Sequence, residues 1–257
     1  MIKISSLSKS FGRFKAVENL DINIQRGEIF GLVGPNGSGK TTTILVLLDI
    51  LDPDPGAKIT IDGKEIPKRI NEVYHKIGFM PQELSLYLDL TIEQNLKFFG
   101  NLYKIPKPII DSHIQEVLEL IDLTEYKKRL ISKCSGGMQR RCSLAVALLH
   151  QPEILILDEP TVGIDPELRI EFWNYFKKIS KEKGVTILIT THYLAESINC
   201  DQIGLMNKKI LISGTPIELM ENVRRLKNLE SLPDMEEVFI HYTHQEKKEK
   251  KLGGIGR

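Results

Sequence analysis

The sequence is short of several things, and each shortage excludes a class of protein. Cysteine occurs only at Cys134, Cys142 and Cys200, an odd number without C-x-x-C spacing. That speaks against a disulfide framework and a structural zinc module and suits a reducing cytosol. No apolar run approaches the ~20 residues needed to span a bilayer, so any membrane role is expected to come through a partner chain. Met1-Ile2-Lys3-Ile4 has none of the features of a signal peptide. An excess of one charge sign is missing too: the formal net charge is +1, which argues against nucleic acid as a bulk partner. What is present, 41% hydrophobic and 27% charged residues, suits a soluble globular chain of one large domain or two small ones.

Against that ordinary background one stretch stands out: Gly34-Pro35-Asn36-Gly37-Ser38-Gly39-Lys40-Thr41-Thr42. It has the spacing G-x-x-x-x-G-K-[ST] of a phosphate-binding loop. Glu28 to Val33 before it reads as a buried strand, and Thr41 to Leu48 after it can open a helix. A strand, a glycine loop and a helix N-terminus together trap anions. The glycines let successive N–H groups turn inward, and the helix end adds partial positive charge. Lys40 supplies a point charge for the outer phosphates, and Thr41 a hydroxyl for Mg²⁺. The expected ligand is a nucleoside triphosphate.

The rest of the chain alternates. Strands are expected over residues 2–33, at Lys58–Ile61, at Ile77–Met80, at Ile154–Asp158 and at Val185–Thr190, with a hairpin from Ile203 to Ser213. Asp52-Pro53-Asp54-Pro55-Gly56 breaks the chain after the first helix. Between residues 89 and 150 the texture turns helical: a capping box at Thr91–Gln94, helical spacing from Ile109 to Leu123, and a helix start at Ser135-Gly136-Gly137. Asp165-Pro166 caps a further helix that Gly184 ends, and Thr215–Glu218 is a second capping box. The expected class is α/β with a parallel sheet, its ligands at the strands' carboxyl ends. Residues 1–225 form the main domain, with 1–88 and 151–225 as its core and 89–150 as an inserted helical part. The Lys247–Lys251 charge run and Gly253-Gly254 mark 226–257 as an extension ending in a disordered basic tail.

Asp158 ends an apolar strand, and Glu159 follows it. Asp-Glu-Pro is also what a plain strand-to-loop exit looks like. Behind a phosphate loop, however, an Asp there can complete a Mg²⁺ shell, and the next Glu can polarise an attacking water.

Here the chain resembles a known family. Ser135-Gly136-Gly137-Met138-Gln139-Arg140-Arg141, followed by Ile154 to Thr161, is similar to the signature and second acidic motif of the ATP-binding-cassette ATPases. Four more positions fall in that family's order, and the resemblance covers about residues 1–225. It implies a P-loop NTPase core with an N-terminal antiparallel β subdomain and an inserted helical signature subdomain. It implies that Phe11 stacks on adenine with Val17 packing beside the base. Gln82 would touch Mg²⁺ and sense a membrane subunit, Gly163-Ile164-Asp165 would cross a dimer interface, and His192 would contact the γ-phosphate. Ser135, Gly136 and Gly137 would close over an ATP held by the Lys40 loop of a second copy. A helix start without a lysine is a poor triphosphate site alone, which fits that arrangement. Two positions depart from the family: Cys134 where leucine is frequent, and Met138 where glutamine is. The other histidines, His75, His113, His150, His241 and His244, read as ordinary.

The resemblance thus implies an ATPase with ATP and Mg²⁺ that works as a homodimer. It would sit on the cytoplasmic face of a membrane beneath a separately encoded integral membrane permease, in an export-type system. Two alternatives stay open. One is a soluble cassette ATPase acting on nucleic acid or ribosomes, against which stand the missing second cassette and basic face. The other is a non-hydrolysing ATP-dependent switch, against which stand Glu159 and His192.

Overall fold

A computed structural model describes residues 1–253, with side chains through residue 248. In chain order the elements are β1 (Ile2–Phe11), β2 (Phe14–Ile24), β3 (Ile29–Val33), α1 (Lys40–Leu47), β4 (Lys58–Ile61), β5 (Lys64–Ile66), β6 (Ile77–Met80), α2 (Ile92–Leu102), α3 (Lys107–Leu120), α4 (Gly136–Leu148), β7 (Ile154–Asp158), α5 (Pro166–Lys183), β8 (Thr186–Thr191), β9 (Gln202–Asn207), β10 (Lys209–Gly214), α6 (Pro216–Lys227) and α7 (Met235–Gly253). They form two compact units, residues 1–70 with the described residues from 189 onward, and residues 71–188. The division does not follow the helical segment expected at 89–150, because strands β6 and β7 and helix α5 group with the helices.

The first unit contains an antiparallel sheet in the order β2-β1-β4-β5. Ile2 pairs with Ile24 and Ile61, and Ile4 with Ile22 and Ile59, so the period-two pattern buries one face of every strand. β3 is buried throughout and lies parallel to β9, which turns back antiparallel into β10. Gly31 is needed here, since a Cβ would run into Cys200 Sγ and Ile203.

The second unit pairs β6 and β7 in parallel and packs α4 on β6. The approach is so close that a Cβ on Gly78 would collide with the Ala147 carbonyl. Thr91 caps α2 through a complete capping box with Gln94. Asn95, fully buried, ties the preceding loop by accepting from Tyr87 N at 2.8 Å and donating to Tyr87 O and Thr91 O at 3.0 Å. Asp165 caps α5 through Leu168 N, and Gly184 ends it in the left-handed region at φ 67°. Phe172, Trp173 and Phe176 fill the core from α5. His150 reads as expected, stacked 4.0 Å from Tyr103 and bonded through Nε2 to Ile77 O.

One expectation is corrected. Most of the stretch read as a disordered tail is helix α7. Its many charges hide a buried stripe: Met235, Val238 and Glu246 lie inside, on α6, β10 and the turn at Leu194–Asn199. The Glu246 carboxylate accepts from Asn207 Nδ2 at 3.0 Å and lies 3.7 Å from Lys209 Nζ. Gly254 and the three residues after it lie outside the described residues.

Candidate functional site

The loop expected from sequence to trap anions lies within the first unit. β3 ends at Val33 and α1 begins at Lys40, so residues 34–39 form the connecting loop. Gly37 and Gly39 hold φ of 77° and 100°, which a side chain would resist. At Gly39 a Cβ would also meet the Ala16 carbonyl and the Val17 and Met206 side chains, and at Gly34 it would meet the Met206 carbonyl. The loop is held by Gly34 N on Thr191 O (3.1 Å), Ser38 N on Pro35 O (3.2 Å) and Lys208 N on Ser38 O (2.8 Å). Lys40 is buried, its ammonium curled onto the Gly34 and Pro35 carbonyls at 2.8 and 3.1 Å. Ser38 Oγ is buried inside the loop with no partner, an orphan that a bound oxyanion would satisfy. Thr41 and Thr42 are half-buried at the start of α1, while Pro35, Asn36 and Gly37 are exposed.

His192 comes straight after β8, one residue beyond the Thr191 carbonyl that accepts from Gly34 N, so the first unit brings it to the loop's entry. It is half-buried beside Tyr193. Phe11 stands at the end of β1, 48% exposed, with Lys9 Nζ 5.2 Å from its ring centroid. Val17 differs from expectation. It has no exposed surface and lies against Gly39, so it supports the loop from behind and shows no face to a base.

The second unit assembles a different set. Asp158 ends β7 and Glu159 follows at φ 50°, both buried. Gln82 Nε2 donates to Glu159 Oε2 at 3.2 Å, so the glutamine singled out from sequence does sit beside the acidic pair. What the sequence did not reveal is the residue that organises them. Arg140 of α4 is buried and donates to the carbonyls of Gln82 (2.8 Å), Pro81 and Val162 (3.5 Å each) and Glu159 (3.3 Å). Burial holds its guanidinium below the ordinary arginine value, with Glu159 and Asp158 pulling the other way. Among helical arginines the pattern Gln-Arg-Arg gives no sign of this; only the four carbonyls do.

Ser135 caps α4 by accepting from Met138 N at 3.3 Å, which leaves its hydroxyl proton to point elsewhere. Ser135 and Gly136 are exposed, and Gly137 is half-buried where a Cβ would press on Leu168. Gln139 Nε2 holds the approach to this cap, donating to Ile131 O at 3.0 Å. Cys134 is a packing residue, its thiol pushed up by burial and its Sγ on Leu130 O. Gly163, at φ 75°, and Asp165 are exposed; Ile164 is buried in its own chain and offers an interface little.

Thr41 in the first unit, and Asp158 and Gln82 in the second, present a hydroxyl, a carboxylate and a carboxamide, hard oxygen donors of the kind Mg²⁺ takes. The orphan Ser38 hydroxyl in a glycine cradle fits a phosphate. A family model described as "ABC transporter" matches residues 17–162, more than half of the sequence. The chain belongs to the ABC transporter family. A family relative, ABC transporter G family member 20 of Dictyostelium discoideum, is 42% identical over 93% of this chain, which spans only 32% of that longer protein. The linearmycin resistance ATP-binding protein LnrL of Bacillus subtilis is 40% identical over 85% of this chain and 70% of its own. A solved structure of an ATP-binding subunit of an ABC transporter shares the fold, with TM-score 0.81 and 24% identity over 95% of this chain and 99% of that one.

Proposed function

We propose that this chain is the ATP-binding and hydrolysing subunit of an export-type transporter, closing as a homodimer around two ATP molecules with Mg²⁺ to drive an integral membrane permease. The observation that carries it is the phosphate loop: a buried lysine and an orphan buried hydroxyl in a glycine cradle at a helix start. When triphosphate binds, Lys40 exchanges its carbonyl partners for phosphate oxygens, and the loop's N–H groups and α1 face the charge. Thr41, Asp158 and Gln82 would hold Mg²⁺, whose charge would neutralise that of the phosphates. Glu159 orients the attacking water, and His192 contacts the γ-phosphate. Ser135, Gly136 and Gly137 of the second copy cap the nucleotide, and Gly163 and Asp165 line the seam between copies.

Among the described residues no helix is long and apolar enough to cross a membrane. One observation supports a membrane partner. Beyond Gln82 the second unit exposes Leu84, Tyr87, Leu88 and Phe98, with Tyr87 and Phe98 4.7 Å apart edge to face, a surface suited to another chain's apolar residues. The relative named for linearmycin resistance supports the export reading, and a neighbouring reading frame with several ~20-residue apolar runs would support it further.

The test is a pair of variants. Glu159→Gln should keep ATP affinity and lose phosphate release by about a hundredfold or more, whereas Lys40→Ala should lose ATP binding itself. Phosphate release at the parent rate in Glu159→Gln would overturn the catalytic assignment, and unchanged affinity in Lys40→Ala would overturn the loop's role.

A further inference from the structure

β1 loses one of its two neighbouring strands before it reaches Phe11. Its ladder with β4 runs only from Ile2 to Ser5. Its ladder with β2 slips in register between Ile4 and Leu7, between Leu7 and Lys9, and between Lys9 and Ser10. Past Ser5 the edge that β4 leaves is taken by the loop after α1. Asp54 N donates to Ser8 O at 2.8 Å, Lys9 Nζ to Asp52 O at 2.6 Å, and Ser10 N and Oγ to the Asp54 carboxylate at 3.1 and 2.7 Å. Three consecutive residues before Phe11 are therefore bonded to residues 52–54. The Ser10 hydroxyl holds the Asp54 carboxyl below the usual range. Pro53 and Pro55 stiffen the backbone on either side. The loop is in turn locked to α1, with Ile50 N and Leu51 N on Leu45 O at 2.9 and 3.2 Å.

We infer that Asp54 is a positioning residue for base binding: through Ser10 it sets Phe11 at a fixed reach from the phosphate loop, with α1 as the rigid spacer between them. The inference rests on Phe11 being the base platform. It accounts for an otherwise unassigned acidic residue in a surface turn, and for the extra bonds made along the edge of β1 that β4 leaves after Ser5.

The experiment compares dissociation constants for Mg–ATP and for Mg–tripolyphosphate, which has the charge but no base. Asp54→Ala should weaken ATP binding about fivefold, short of the roughly tenfold loss expected of Phe11→Ala, and leave tripolyphosphate binding unchanged. Asp54→Asn should restore ATP affinity, because its carbonyl still accepts from Ser10 N and its amide can donate to Ser10 Oγ. If Phe11→Ala weakens ATP while Asp54→Ala does not, the positioning role is wrong. Equal weakening of both ligands by Asp54→Ala would also overturn it, since a loosened fold would do that. If Phe11→Ala leaves ATP affinity intact, the platform reading fails first and the inference with it.

Discussion

A single guanidinium does the most organising in the second unit. Arg140 spreads its donors over carbonyls from the Gln82 segment and from residues 159–162, so both segments share one anchor in the signature helix. Lysine would keep the charge but not the fork. Arg140→Lys should therefore lower unfolding stability by about 2 kcal/mol, as buried carbonyls lose partners. It should cut ATPase activity about a hundredfold through misplacement of Glu159 while ATP affinity, assigned in the proposal to the Lys40 loop, stays. Denaturant titration, turnover and equilibrium binding check these separately. At this scale the sequence was legible where chemistry demands a residue type at fixed spacing, as at Gly34–Thr42, Asp158 and Glu159. It was silent where the role depends on what backbone lies nearby. Arg140 looks like one more helical charge, and Val17 and Ile164 turned out to be inside, where no motif records solvent access.

Secondary structure was easiest to read where local rules and burial agree. Both capping boxes close as expected, at Thr91–Gln94 and Thr215–Glu218, and Asp165 and Gly184 bound α5. The exception was α7, whose lysines and glutamates outnumber its buried positions and so concealed its docking stripe. Short β5 also went unread, because three residues carry too little pattern. Close packing between elements leaves a sharper trace at Gly78, where β6 meets α4. Alanine there would push a methyl into the Ala147 carbonyl, a backbone atom that cannot swing aside. Gly78→Ala should destabilise the protein by about 2–3 kcal/mol in chemical denaturation, although glycine-to-alanine usually helps a strand.

For the molecule as a whole, the proposal that the exposed Ser135-Gly136 cap closes over a second copy's nucleotide is a statement about mass. In the Glu159→Gln background, Mg–ATP should shift the protein to twice its mass on a sizing column with light scattering. Adding Ser135→Arg should abolish that shift and leave one ATP bound per chain at unchanged affinity. A dimer that survives the arginine would rule out capping in trans. The fold class was legible from strand and helix alternation, but the two-unit division was not. Composition tracks helix content, and the units are defined by which elements touch.

The far helix bears on the nucleotide more directly than its place in the chain suggests. Its Glu246 grips Asn207; the neighbouring Lys208 amide grips Ser38 at the heart of the phosphate loop, and the Lys208 ammonium lies 4.6 Å from the centre of the Phe14 ring. A load hung on α7, such as a purification handle or a reporter, is thus attached two hydrogen bonds from the loop at Ser38. Binding constants measured with such a load describe the loaded molecule.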